Sequence, residues 1–238
     1  MSIMTLIHGM RTAVVAPVTG TPTFASALPY RSPGGTIGNR TGWTLGTLTP
    51  GNYDDSFAGP YSLPYTWYIG GVAYTTYYIS TNGYITFGSG SGNIITAPQN
   101  LTGIYLTPGD NYWGTNGTNG TGNSPNGVAY ISGTTNFSNC TYFRLNMQGY
   151  AYGNSGVDRS WELNLILNNT TGAQYFEMVF GSALSSGASS FGIYNGSTII
   201  QSGAAPLSNV SYCFSCTDGT GTSWTYNGAG SFSNVTFP

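Results

Sequence analysis

Lysine is absent from the sequence and histidine occurs once. Charged residues make up 5% of the 238 positions, against about 25% in a typical soluble domain. The cations are Arg11, Arg31, Arg40, Arg144 and Arg159; the acids are Asp54, Asp55, Asp110, Asp158, Asp218, Glu162 and Glu177. A net charge of −2 leaves no basic footprint for a phosphate backbone, which argues against a nucleic-acid partner. The one histidine, His8, lies near the start, and no G-x-S-x-G occurs, so a serine triad lacks both its base and its elbow. No run reaches the roughly 18 apolar residues of a membrane-spanning helix. Cysteine is scarce and odd in number: Cys140, Cys213 and Cys216. A lone C-x-x-C cannot supply the four ligands of a structural zinc site. A local Cys213–Cys216 disulfide, a bridge from Cys140 to either, and three buried thiols are the remaining readings.

What is present is apolar and small. Hydrophobic residues reach 39%, enough for a packed core, and glycine occurs 36 times. No long amphipathic period appears. Short alternating runs bounded by Gly, Asn, Ser and Pro predict an all-β chain, an antiparallel β-sandwich of jelly-roll-like form. The strands are expected at 65–69, 73–81, 84–88, 127–132, 141–150, 160–167, 174–180, 190–194, 210–215 and 223–226. The clearest alternation is "SWELNLILNN". It places Trp161, Leu163, Leu165 and Leu167 on one face and Glu162, Asn164, Ile166 and Asn168 on the other. "QYFEMVFG" does the same with Phe176, Met178 and Phe180, and "YFRLNMQGY" with Phe143, Leu145 and Met147 inward and Arg144 outward. Asn82-Gly83 predicts a two-residue type I′ turn. Tyr78, Ser80, Ile85 and Phe87 would then share one face, and Ile79, Thr81, Tyr84 and Thr86 the other.

Residues 1–45 read as an extended N-terminal arm, 46–206 as the sandwich, and 207–238 as a C-terminal β-hairpin packed on it. Ala25-Ser26-Ala27 has the form of a signal-peptidase site, but Pro17, Gly20 and Pro22 break the apolar stretch before it. An apolar, Pro-punctuated arm is expected to be tied down by another subunit. Residues 107–126, with repeated N-G-T, read as a polar surface loop.

The segment "DDSFAGPYSLPYTWYIGGVAYTTYYISTNGYITFGSG" (54–90) resembles the opening of nidogen-like modules and related β-sandwich modules of bacterial and archaeal surface proteins. "WELNLILNNTTG" and "YFEMVFG…FGIYNG" are similar to their later strands, so the resemblance spans about 54–196. It implies adhesion and assembly, and it carries over no catalytic residue. The arm and residues 207–238 depart from the pattern.

Candidate chemistry is sparse. Glu162 and Glu177, on neighbouring strands, have the residue types of a glycosidase pair, but their expected position is solvent-facing on a hairpin, neutralised by Arg144. Asp54-Asp55 is a candidate for a hard cation such as calcium, although Asp in turns explains the same letters. No catalytic residue and no cofactor is assigned. Sequons N-x-S/T occur at Asn39, Asn100, Asn116, Asn119, Asn136, Asn139, Asn168, Asn169, Asn195, Asn209 and Asn234. That is eleven of 21 asparagines, where about five follow from the Ser and Thr content, so these are candidate glycosylation sites on surface loops.

A surface so poor in charge responds little to pH or salt and offers few sites to trypsin-like proteases. Both suit a protein outside a cell. The expected function is therefore a non-enzymatic structural protein of a virion exterior (capsid decoration, turret or fibre) or of a surface assembly. Its partners would be copies of itself, other subunits of that assembly and host surface glycans. The alternative is a secreted adhesin or lectin-like module with Tyr68, Tyr77, Trp113 and nearby Asn as a sugar-binding face.

Overall fold

The structure, a computed structural model, describes residues 18–19, 44–45, 54–93, 100–113, 128–134, 139–147, 149–180, 191–203, 207, 210–229 and 236–237. Most of the arm, the loop residues 114–127, and Asn39, Asn116, Asn119, Asn136, Asn209 and Asn234 lie outside them, as does the Trp113 side chain.

The described residues form strands and turns only. In chain order the strands are β1 (Val18–Thr19), β2 (Thr44–Leu45), β3 (Phe57–Ile69), β4 (Val72–Ser80), β5 (Tyr84–Thr86), β6 (Gly103–Tyr105), β7 (Asn111–Trp113), β8 (Val128–Thr134) and β9 (Cys140–Met147). There follow β10 (Gly149–Ala151), β11 (Asn154–Asp158), β12 (Trp161–Asn168), β13 (Gln174–Phe180), β14 (Gly192–Asn195), β15 (Thr198–Ser202), β16 (Ser211–Cys216), β17 (Thr225–Ala229) and β18 (Thr236–Phe237). Two antiparallel sheets make the sandwich, ordered β17-β16-β13-β12-β9-β8-β2 and β15-β14-β6-β5-β4-β3. A three-stranded sheet, β11-β10-β7, and a β1-β18 ribbon complete the set.

The core lies between the two large sheets. From the seven-stranded sheet come Phe143, Leu145, Met147, Trp161, Leu163, Leu165, Phe176, Met178 and Phe180, which face inward as their alternation predicts. From the six-stranded sheet come Trp67, Tyr77, Ile79, Ile85 and Ile104. Side chains also tie the sheets by hydrogen bonds. Gln174 imitates a strand neighbour: its Oε1 accepts from the Tyr68 amide at 2.6 Å and its Nε2 donates to the Tyr68 carbonyl at 3.0 Å. The Tyr65 hydroxyl donates to the Leu165 carbonyl at 2.9 Å.

Four expectations need correction. The β4–β5 loop holds three residues, Thr81 to Gly83, since Ser80 pairs with Tyr84, and only Gly83 has positive φ (82°). An odd loop flips the side-chain parity, so Ile79 and Ile85 face the core together while Tyr84 lies on the opposite face, stacked on Tyr105. Glycine is required at 83 because a Cβ would collide with the Thr107 carbonyl. Second, β3 runs through Pro60 and Pro64, well upstream of the expected start at residue 65. Both prolines fit because β3 is an edge strand with register shifts, where a missing N–H costs no ladder bond. Third, the C-terminal hairpin, β16 paired antiparallel with β17, is built into the sandwich and not packed on it. β16 pairs along β13 over six residues and lies inside the seven-stranded sheet, with β17 at its edge.

The fourth correction concerns the cysteines. Cys140, Cys213 and Cys216 are buried free thiols. Residues three apart on an extended strand are about 10 Å apart and point to opposite faces, beyond the reach of a disulfide. Cys216 faces the core, whereas Cys213 pairs across from Glu177. Burial pushes the Cys140 and Cys216 thiols up to about 11, so both stay protonated and unreactive at neutral pH.

Candidate functional site

Two charge clusters among the described residues are of opposite kinds, one buried and one at the surface. The buried one sits on the face of the seven-stranded sheet that points away from the core. The register sets Asn164 opposite both Arg144 and Glu177. Arg144 Nη2 meets Glu162 Oε1 at 2.6 Å, Arg144 Nε donates to Asn164 Oδ1 at 3.0 Å, and Asn164 Nδ2 donates to Glu177 Oε2 at 2.9 Å. All four side chains are fully buried. The expected solvent-facing placement of Glu162, Glu177 and Arg144 is therefore wrong. Alternation reports two different faces, not which of them meets water, and a polar face closes as readily once its groups are paired. Two buried, internally bonded carboxylates also leave no surface on which a sugar could lie between them.

The surface cluster is built at the end of the sandwich where β4 turns into β5. Asn82 organises it. Its Nδ2 donates to Asp55 Oδ1 at 3.0 Å and to the Gly92 carbonyl at 2.8 Å, and its Oδ1 accepts from the Asn111 amide at 2.9 Å. One fully buried side chain thus joins three loops. Thr81 adds a reciprocal pair with Ser56: its Oγ1 accepts from the Ser56 amide at 3.0 Å while its own amide donates to the Ser56 carbonyl at 2.9 Å. The result brings Asp54, Asp55 and Asp110 together, with carboxylate oxygens within 4.8 Å of one another. Oxygen-rich loops of this kind suit a hard cation or a shared proton.

Asp54 and Asp55 were legible as candidates; Asp110, more than fifty residues later, was not. Its only signal is the turn "PGD", and nothing local ties a turn to a distant acid. Desolvation pushes the Asp54 carboxyl up to about 6, with the charges of Asp55 and Asp110 adding to the effect. Desolvation and then Asp55 also raise Asp110. A carboxyl raised in the folded state binds protons more tightly than in the unfolded chain. Its contribution to stability is therefore fullest in acid and is lost as pH rises through about 6. Asp54→Asn is expected to raise the melting temperature by about 1–3 °C at pH 7.5 and to leave it unchanged at pH 4. The protein should come from a host without N-glycosylation, because the change creates Asn-Asp-Ser. Equal effects at both pH values would show that Asp54 does not titrate in this way.

Of the sugar-binding face expected of a lectin-like module, Tyr77 is withdrawn and the Trp113 side chain lies outside the described residues. Tyr77 is buried in the core, where its ring packs on Phe143 at 5.2 Å and on Tyr61 at 5.6 Å. Tyr68 is half-buried, with both backbone polar groups held by Gln174.

A family model described as NIDO related matches residues 36–227. The chain belongs to this nidogen-related family. The match reaches beyond the segment with recognisable sequence resemblance at both ends, and it takes in β16 and the start of β17, in keeping with their place inside the sheet. No curated protein and no solved structure matches the chain.

Proposed function

We propose that this nidogen-related chain is a non-enzymatic structural module of an exterior assembly, a virion surface or a cell-surface layer or filament. It docks through its N-terminal segment and presents a polar, β-rich surface to the medium. The observation that carries this reading is the family membership over 36–227, since nidogen-related domains are typical of extracellular proteins. The site geometry agrees with it. The pair that the sequence offered for glycosidase chemistry, Glu162 and Glu177, is bonded inside the sheet to Arg144 and Asn164. The described parts of the N-terminal segment, β1 and β2, pair with β18 and β8 of the same chain, β2 at the edge of the seven-stranded sheet.

The test is deletion of residues 1–45. The truncated protein is expected to stay folded and soluble and to fail to co-sediment with particles or filaments that incorporate the full chain. Normal incorporation of the truncated protein would refute docking through this segment. Recovery of the full-length protein only as a soluble glycan-binding monomer would favour the adhesin reading instead.

A further inference from the structure

Five sequon asparagines fall among the described residues: Asn100, Asn139, Asn168, Asn169 and Asn195. They are spread over nearly a hundred positions of sequence, yet the topology gathers them at one end of the sandwich. Asn169 donates its backbone amide to the Asn139 carbonyl at 2.8 Å, which joins the β12–β13 turn to the start of β9. Gly172 of that turn lies against Gly219. The 218–223 loop is held by Asp218, whose two oxygens accept from the Thr220, Gly221, Thr222 and Ser223 amides. That loop receives the β3–β4 turn, through Gly70 and Gly71 amides donating to the Gly221 and Thr220 carbonyls at 2.7 and 3.0 Å. The Asn195 amide sits directly over Gly70, where any Cβ would collide with it. Thr102 Oγ1 donates to Asn195 Oδ1 at 3.1 Å, and Gly196 lies beside the Asn100 carbonyl. Every described sequon thus belongs to one ring of contacting turns. The acidic end, with Asn82, lies at the far end of the nine-residue β4, about 30 Å away.

Accessibility divides these asparagines. Asn100, Asn139 and Asn169 are exposed, and the first two occupy outward turns with φ of 54° and 60°. Asn168 is only 3% exposed, and its Oδ1 accepts from the Thr170 and Thr171 amides to close the β12–β13 turn. Asn195 is half-buried, with its oxygen bonded to Thr102 and its nitrogen packed on Gly70. A bulky substituent has no room on the buried Asn168 and would displace the Asn195 nitrogen from Gly70.

We propose that Asn100, Asn139 and Asn169 carry N-linked glycans, so that this end of the sandwich is a sugar-covered cap, and that Asn168 and Asn195 do not. The donor is a polyprenyl-phosphate-linked oligosaccharide. The asparagine Nδ2 forms a bond to the sugar C1, the C1–oxygen bond to phosphate breaks, the lipid phosphate leaves, and the nitrogen loses one proton. The inference rests on the exterior reading above and gives it an orientation. The glycans cover the end opposite the acidic cluster and leave that cluster clear.

The test is mass spectrometry of chymotryptic peptides from the protein isolated from its own source, since five arginines leave trypsin few useful sites. Peptides containing Asn100, Asn139 and Asn169 are expected to carry glycan mass, and the peptide containing Asn195 none. Asn169→Gln should abolish the shift of its peptide although Asn168-Gln-Thr is still a sequon, whereas Asn168→Gln should leave the shift in place. An unmodified Asn100, Asn139 or Asn169, or a glycan on Asn168 or Asn195, overturns the proposal. Bare asparagines on protein recovered from an exterior assembly would sink the glycan cap alone. Glycosylated protein that never enters an assembly would sink the structural reading and leave the cap standing.

Discussion

Replacing Arg144 by methionine is expected to destabilise the sandwich by about 3–5 kcal/mol at neutral pH, the usual consequence of stranding one partner of a buried ion pair. Arg144 and Glu162 have no exposed side-chain surface, and the 2.6 Å contact between them is extended to Glu177 through Asn164. Methionine retains the length of the stem but offers no donor. Glu162 would then be held as an uncompensated charge, and Asn164 would lose the donor to its Oδ1. Denaturant unfolding at pH 7.5 measures the loss. Combining Arg144→Met with Glu162→Leu should recover most of the stability, since apolar pairs of similar volume often replace buried ion pairs without penalty. A single-variant loss below about 1 kcal/mol would show that the pair reaches solvent in solution.

Truncating Leu165 to alanine is expected to cost about 2–5 kcal/mol. Leu165 is fully buried at the centre of β12, between Phe143 on one neighbouring strand and Phe176 on the other. Its backbone carbonyl takes the Tyr65 hydroxyl from the opposite sheet. Strands fixed by ladders on both sides cannot close over the missing methyl groups, so the cavity term adds to the lost transfer energy. In a chain of this size each kcal/mol corresponds to about 2–4 °C, so thermal unfolding resolves the effect. A loss below about 0.5 kcal/mol would place Leu165 outside the packed core.

The strands that could be read from sequence were those whose residue types alternate between apolar and polar from one face to the other. Trp161, Leu163 and Leu165 alternate with Glu162 and Asn164, and the inner set was identified correctly from that period. The same period was silent about the outer set. It separates two faces without saying whether a second layer covers the polar one, and so Glu162, Glu177 and Arg144 were placed in water. The proline-bearing half of β3 was missed because proline argues against a central strand, and edge position is a property of the sheet, not of the segment. The three-residue strand β6 and the bulged β15 are too short or too irregular to show a period.

The acidic composition of the candidate site shows the same division. Asp54 and Asp55 announce themselves as neighbours. Asp110 joins them only because Asn82, visible in sequence as a turn residue, turns its amide inward and bonds three loops at once. The scarcity of charge predicted a flat response to pH. The fold changes this by pushing Asp54 up to about 6 through burial and neighbouring acids. Asp218 moves the other way: burial opposes its ionisation, but hydrogen bonds from Thr222, Cys216, Thr220 and Ser223 hold its carboxyl well below the usual range.

By itself the sequence determined the all-β class, the sandwich core along β9, β12 and β13, and the resemblance to nidogen-like modules. These follow from composition and from a two-residue period, which are local properties of the chain. Only the tertiary structure decided which polar residues are buried, that the three thiols stay apart, that three acids meet at one end, and that the described sequons gather at the other. Each of these depends on which strands become neighbours and on the parity of the loops between them. Those are properties of pairing between distant segments, where one residue more or less in a turn reverses which side of a sheet every following side chain occupies.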